Sequence, residues 1–348
     1  MLLEVVKILG LQKVLYLSCN YSFMKYFLNL IITYSLLVSC NKNYLQHKKQ
    51  WAIVASTDSS KFVARHEAAF VKVNNRFYLL GGRKIRPVSI YDPKKKVWIN
   101  GAKPPVELHH FQPVVFKDDV YIICALTGKY PAETPLPHIY IYNTTSDSWR
   151  KGIQIPKDRL RGSTGNVIKD GVVYISCGIK DGHRSDHKKW LDSYNIKTGE
   201  WDSLPNAPRA RDHFQAVLAD CKIYVLGGRR SKAPKRTFHE TIGEVDVFDI
   251  KTKQWKTITN KLPTQRAGVM ALSYKKEILV IGGESMDQKA AHAEVEALNL
   301  KTLTWRTFPM LQNGRHGTGA CIHDDKIYIA SGSGNRGGKP ELESMECY

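Results

Sequence analysis

The chain has 348 residues, 43% of them hydrophobic, and carries 52 Lys and Arg against 32 Asp and Glu, a formal net charge of +20. Ordinary hydrophobic content at this length supports a large core and excludes an intrinsically disordered protein. The basic excess favours anionic partners, such as acidic glycans, lipid headgroups or nucleic acid, without choosing among them.

Taken from its N-terminal end, the chain offers Lys25 just after Met24, an apolar run over residues 27–38, and the motif Leu37-Val38-Ser39-Cys40. Charge, short apolar segment and small residue form the order of a secretory signal. The run is too short for a comfortable transmembrane span. It resembles a bacterial lipoprotein signal, which implies cleavage before Cys40 and lipidation of that cysteine; a signal anchor is the alternative. An earlier Cys19 is a weaker site because Lys13 interrupts its apolar run, so Met24 is the expected start. The expected organisation is a signal segment at 1–40, a tether at 41–50 and one folded unit at 51–348, lipid-anchored to a membrane in a bacterial cell envelope.

Beyond residue 50 the chain repeats itself. Trp51, Trp98, Trp149, Trp201, Trp255 and Trp305 are spaced 47, 51, 52, 54 and 50 residues apart. Seven residues before each from Trp98 onward stands Tyr91, Tyr142, Tyr194, Phe248 or Leu298, always followed by Asp or Asn. A second series, Arg65, His109, Arg161, Arg211, Arg266 and Arg315, precedes by 16 residues the first member of a small-residue pair. Those pairs are Gly81-Gly82, a degenerate Ala125-Leu126, Cys177-Gly178, Gly227-Gly228, Gly282-Gly283 and Ser331-Gly332. Each unit of about 50 residues holds short β-rich runs separated by turn signals, which reads as a four-stranded propeller blade.

This Arg, Gly-Gly, Tyr-Asp, Trp phase over residues 51–348 resembles kelch repeats, the propeller also found in the central domain of galactose oxidase. The resemblance implies an all-β, six-bladed kelch β-propeller. The sixth unit stops at Tyr348, short of its Trp, and Trp51 has no unit before it. The segment 51–56 is therefore expected to supply the outer strand of the last blade, closing the ring and removing two exposed sheet edges.

In such a blade the start of strand 1 and the loop between strands 2 and 3 share one face, the top. Candidate ligand-binding residues collect there. At strand-1 starts they are Arg65, His66, Glu67, His109, His110, Arg161, Arg211, Asp212, His213, Arg266, Arg315 and His316. In the 2–3 loops they are His183, Arg229, Glu284 and Arg336. The arginine series is typical of kelch repeats, where it stitches neighbouring loops together. The residues one and two places later vary from unit to unit, which packing alone does not require. Guanidinium groups suit carboxylate or sulfate recognition. Trp190, in a 2–3 loop, is either a sugar-stacking platform or a cap on the neighbouring blade. The opposite face carries lysine-rich 3–4 turns, expected to lie toward the membrane at the end of the short tether.

Cys124, Cys177, Cys221, Cys321 and Cys347 are odd in number, scattered and without CxxC spacing, which argues against a disulfide framework or a structural zinc site. His66, His109, His110, His213 and His316 come from several units, but no local two-histidine spacing marks a ligand set. No metal, cofactor or nucleic-acid partner is expected, and no nucleophile elbow or phosphate loop is present.

The leading expectation is a membrane-anchored propeller whose top face binds an acidic ligand, a carboxylated or sulfated sugar, without catalysis. A carbohydrate-active enzyme is the first alternative. Bacterial sialic-acid mutarotases are kelch propellers with an acidic residue and an arginine at the mouth. On that resemblance Glu284 or His213 would be the catalytic acid or base, although the loop after Glu284 has Lys289 and no arginine. The copper chemistry of galactose oxidase is not carried over, since its tyrosine–cysteine set has no counterpart. A protein-interaction scaffold, the commonest role of kelch propellers, is the second alternative; its usual apolar, aromatic top surface is thin here.

Overall fold

The structure, a computed structural model, describes residues 49–348. The signal segment, Cys40 and nearly all of the tether lie outside the described residues. Among the described residues no helix is long and apolar enough to cross a membrane.

Six four-stranded antiparallel sheets succeed one another along the chain. Blade 1 runs through Ala68–Val73, Arg76–Gly81, Ser89–Asp92 and Val97–Asn100, from the channel outward. Blades 2 and 3 follow the same order and carry an extra two-stranded hairpin in their 2–3 loops, Leu126–Thr127 with Thr134–Pro135 and Ile179–Asp181 with Ser185–His187. Blades 4 and 5 span Gln215–Ala219 to Gln254–Thr257 and Met270–Tyr274 to Trp305–Phe308. In blade 6 the outermost strand is Ala52–Ile53, paired antiparallel to Met345–Cys347. Trp51 is buried in that blade and donates its indole N–H to the Pro309 carbonyl at 2.8 Å. The ring thus closes as the repeat phase requires.

Each sheet packs against a neighbour on both faces, so the second strands are near-continuous apolar runs rather than alternating ones. Tyr78, Leu80 and Val88 of blade 1 meet Leu108, Val120 and Tyr142 of blade 2, and five similar clusters fill the remaining wedges.

The repeat spacings have direct geometric causes. A residue seven places before each Trp is its cross-strand partner: Tyr91 faces Trp98, Tyr142 faces Trp149, Tyr194 faces Trp201 and Phe248 faces Trp255. The rings lie 4.9, 5.1, 5.8 and 5.2 Å apart, in the range of favourable aromatic contact. The Asp or Asn that follows folds the 3–4 turn, its side-chain oxygen accepting the N–H groups two and three residues on, as Asp92 does from Lys94 and Lys95.

The 16-residue offset is a hydrogen bond. Arg65, Arg161, Arg211, Arg266 and Arg315 are fully buried, and each donates to the carbonyl 16 residues later. Four also meet a buried carboxylate on the third strand, at Asp192, Asp246, Glu296 and Glu346. Their own carbonyls accept the N–H of the second residue of the small pair one blade back: Gly178 to Arg211, Gly228 to Arg266, Gly283 to Arg315 and Gly332 to Arg65. The arginines therefore knit blade to blade from inside, and their guanidinium groups are spent on the fold. That removes all five from the direct ligand contacts expected of them.

Blade 2 departs from the expected register. The bridges Gly82 to Leu108 and His109 to Leu126 place Leu108, not His109, where other blades have arginine. The small pair is correspondingly Cys124-Ala125, with Cys124 in the left-handed region at φ 58° like Gly81 and Cys177. His109, expected in the arginine series, stands one position later in the blade, and His110 with it.

Candidate functional site

That one-residue correction aligns six residues around the channel: Glu67, His110, Ser163, His213, Gly268 and Gly317. All six have φ between 53° and 65°. Their backbones are linked around the mouth, with Ser163 N–H donating to the His110 carbonyl at 2.9 Å, Gly268 to His213 at 2.7 Å and Gly317 to Gly268 at 3.0 Å. The left-handed region suits glycine, as in blades 5 and 6, and costs other residues about 1 kcal/mol or more. Glu67, His110, Ser163 and His213 keep side chains there despite that cost, and conformational strain of this kind concentrates at functional sites. These side chains line a narrow cavity of about 40 Å³ inside the ring.

A larger cavity, about 360 Å³, opens at the mouth. Glu67, His110, His66 and Glu284 line it from strand-1 starts and loop bases, while His183, Arg229, Arg83, Tyr130 and Phe238 reach it from the 2–3 loops. His183 is fixed in the blade 3 hairpin, its N–H on the Pro131 carbonyl of blade 2 and its carbonyl on the Ala233 N–H of blade 4. Arg229 is buried, with Nε on the Ser231 hydroxyl at 2.9 Å, Nη1 on Glu284 and its guanidinium 4.8 Å from the Phe238 ring centre. Among the described residues its Nη2 has no protein partner. Arg83 donates to the Gly128 carbonyl at 2.9 Å and to Glu133.

The carboxylates of the site are ionised. Burial pushes the Glu284 carboxyl up, but His316, Arg229 and the Gly337 N–H at 2.8 Å together hold it down, to about 2. Glu133 shows the same balance, burial against His183 and Arg83, and also falls to about 2. Burial likewise opposes ionisation of Asp212, yet its bonds to His187 and His213 keep it well below the ordinary carboxylate range. Burial lowers His110 and His213, so both rings are neutral at pH 7.

The remaining expected residues take supporting places. His66 lines the cavity and shares Glu341 with Arg86, at 2.8 and 2.9 Å. His109 lies behind His110, fully buried. His316 faces the carbonyls of Asn335 and Gly337 at 2.9 and 2.8 Å. Arg336 donates to the Ser285 and Met286 carbonyls and lies 5.6 Å from Phe238. Trp190 is not part of the cavity; it covers blade 3 beneath Arg159, Arg161 and Lys188, at 4.2, 5.3 and 4.8 Å. The aromatic walls are instead Tyr130 and Phe238, which the sequence reading did not single out. Nor did it find Arg83 and Glu133, which sit in loops whose length differs from blade to blade.

No metal ligand set was expected, yet His110, His183 and His213 each bring one ring nitrogen within 4.8 Å of the others. Local spacing could not reveal them, since they come from three blades.

Residues 37–286 match the family described as "Attractin/LZTR1 beta-propeller". The chain is 26% identical over 296 residues to the "Kelch-like protein terF" of Aspergillus terreus, covering 77% of this chain and 61% of that protein. It is 24% identical over 277 residues to human "Kelch-like protein 23", covering 78% and 46%. The chain thus spans about half the length of these curated relatives. A solved structure described as "Structure of YjhT" superposes with a TM-score of 0.69 at 14% identity, covering 82% of this chain and 95% of that one, which shows the shared fold.

Proposed function

The chain belongs to the Attractin/LZTR1 β-propeller family, and we propose that this member binds a small acidic sugar in the cavity at its channel mouth. It is a kelch propeller, an architecture consistent with a protein-interaction scaffold, and a small-ligand role is supported by a feature of the cavity itself. Arg229 carries it. Its guanidinium is locked by Glu284, Ser231 and Phe238, with Nη2 left over beside a cavity of about 360 Å³, within the size range of small-ligand sites. A donor pre-positioned in this way suits a carboxylate or sulfate without further ordering cost. Glu67 and Glu284 supply acceptors for hydroxyl groups, and Tyr130 and Phe238 supply faces for the apolar side of a sugar ring.

Binding fits the site better than proton transfer. Glu284, held ionised to about pH 2 and engaged by Arg229 and Gly337, is poorly matched to acid or base work near neutrality. We also propose that the segment running from Lys25 through the apolar residues 27–38 to Cys40 tethers the propeller to a membrane in a bacterial cell envelope.

The test is calorimetric titration of the full chain with a hexuronic acid and with the corresponding neutral hexose. The acid should bind at least tenfold more tightly, and Arg229→Met should remove that preference. Equal affinity for both sugars, or binding of neither, contradicts the reading and turns attention to a protein partner.

A further inference from the structure

The three histidines at the mouth form a triangle with ring centres 4.9 Å apart for His110 and His183, 4.7 Å for His110 and His213, and 4.7 Å for His183 and His213. The hydrogen bonds around them determine which nitrogen of each ring is free. His183 Nδ1 lies 2.9 Å from Glu133 Oε2, an acceptor, so Nδ1 carries the hydrogen. His213 Nδ1 does the same with Asp212 Oδ1. His110 reaches its acceptor through a relay. His109 Nε2 donates to the Gly128 carbonyl at 3.2 Å, which leaves His109 Nδ1 as acceptor for the Nδ1–H of His110 at 2.7 Å.

Every ring therefore spends Nδ1 on an outer partner and keeps a lone pair on Nε2. Two of these lone pairs, on His213 and His110, are unprovided for. His213 Nε2 is buried with no hydrogen-bond partner among the described residues. His110 Nε2 sits 3.3 Å from Glu67 Oε2, where two acceptors face each other. A proton or a cation between them would relieve that opposition, and a cation would satisfy His213 as well.

We propose that His110, His183 and His213 bind a divalent transition-metal ion, zinc by preference, through their Nε2 atoms. Imidazole suits zinc, and three histidines with one position left open make a recurrent catalytic-type set. Zinc bonds of 2.0–2.1 Å at tetrahedral angles hold nitrogens about 3.3 Å apart, and one nitrogen of each ring already lies within 4.8 Å of the other two. The outer partners match as well: metal-bound histidines almost always donate their second N–H to a carboxylate or another acceptor, as Glu133, Asp212 and His109 accept here. Glu67 flanks the open side toward the cavity. The proposal rests on these residues alone and stands whether or not an acidic sugar binds.

The experiment uses the full chain, stripped with chelator and titrated with zinc chloride by calorimetry and with cobalt chloride by visible absorption. One zinc per chain is expected, with the strong visible bands of low-coordinate cobalt. His183→Gln and His213→Gln should abolish both signals, and the exposed His239→Gln should leave both unchanged. Glu133→Gln, which keeps all three rings, should weaken zinc about 10–100-fold. Circular dichroism of each variant separates loss of the site from loss of the fold. Absence of zinc uptake by the unsubstituted chain, or uptake that folded His183→Gln or Glu133→Gln retains in full, overturns the proposal.

Discussion

Charge buried in this molecule is divided between two jobs. Arg315 illustrates the first: it is fully buried, donates to the Ser331 and Ser344 carbonyls at 3.0 and 2.9 Å, and meets the equally buried Glu346. Arg315→Ala leaves that carboxylate without its charge partner, a loss of about 3–5 kcal/mol measurable by chemical unfolding. Ligand binding by whatever fraction stays folded should survive, because Arg315 does not reach the cavity. Glu284 illustrates the second job. Its carboxyl sits near 2 in the folded chain against an ordinary 4.5. A depressed acid stabilises the fold fully above its ordinary value and loses that contribution as pH falls through the window from about 4.5 to about 2. The change is about 3 kcal/mol. Unfolding midpoints followed down that window should fall steeply for the unsubstituted chain and less steeply for Glu284→Gln.

At the scale of the strand and the loop, the blades divide into what was legible in the sequence and what was not. The Trp, Tyr and Asp of each 3–4 hairpin were legible because a tight turn holds cross-strand partners at one fixed separation, so a spatial contact becomes a constant offset. The arginine offset was legible for the same reason. His109 defeated that logic: it lies one residue beyond Leu108, which holds the arginine's position in blade 2 without any charge to mark it. The cavity walls were mostly hidden. His183 with Glu133, and Arg229 with Glu284, pair across blades at separations of 50 and 55 residues through loops of unequal length. Nothing periodic marks such pairs. The closing strand was the clearest success, and it can be weighed. Trp51 is 2% exposed and anchors residues 52–53 onto the last blade. Trp51→Ala should cost about 3–5 kcal/mol, and the extra amide exchange should appear first in Met345–Cys347, whose outer partner would be lost.

Over the whole molecule, sixfold repetition supplies rigidity and departures from it supply chemistry. The arginines, tryptophans and turn residues recur and build the frame. The channel ring does not recur: glycine holds the left-handed position in blades 5 and 6, while Glu67, His110, Ser163 and His213 hold it in the other four. The asymmetry leaves only glycine in the ring at blades 5 and 6, while Glu67, His110 and His213 bring titratable groups to it from blades 1, 2 and 4. A net charge of +20 on the chain favours anions in general, whereas the acidic-sugar binding proposed above assigns selectivity to that one cavity. Hydrogen–deuterium exchange of the full chain, with and without saturating hexuronic acid, addresses this most directly. Protection is expected only in the segments around 65–68, 109–113, 183, 229–238, 284 and 335–338. Protection on the lysine-rich turns of the opposite face instead, or none at a concentration that calorimetry shows to be saturating, would contradict it.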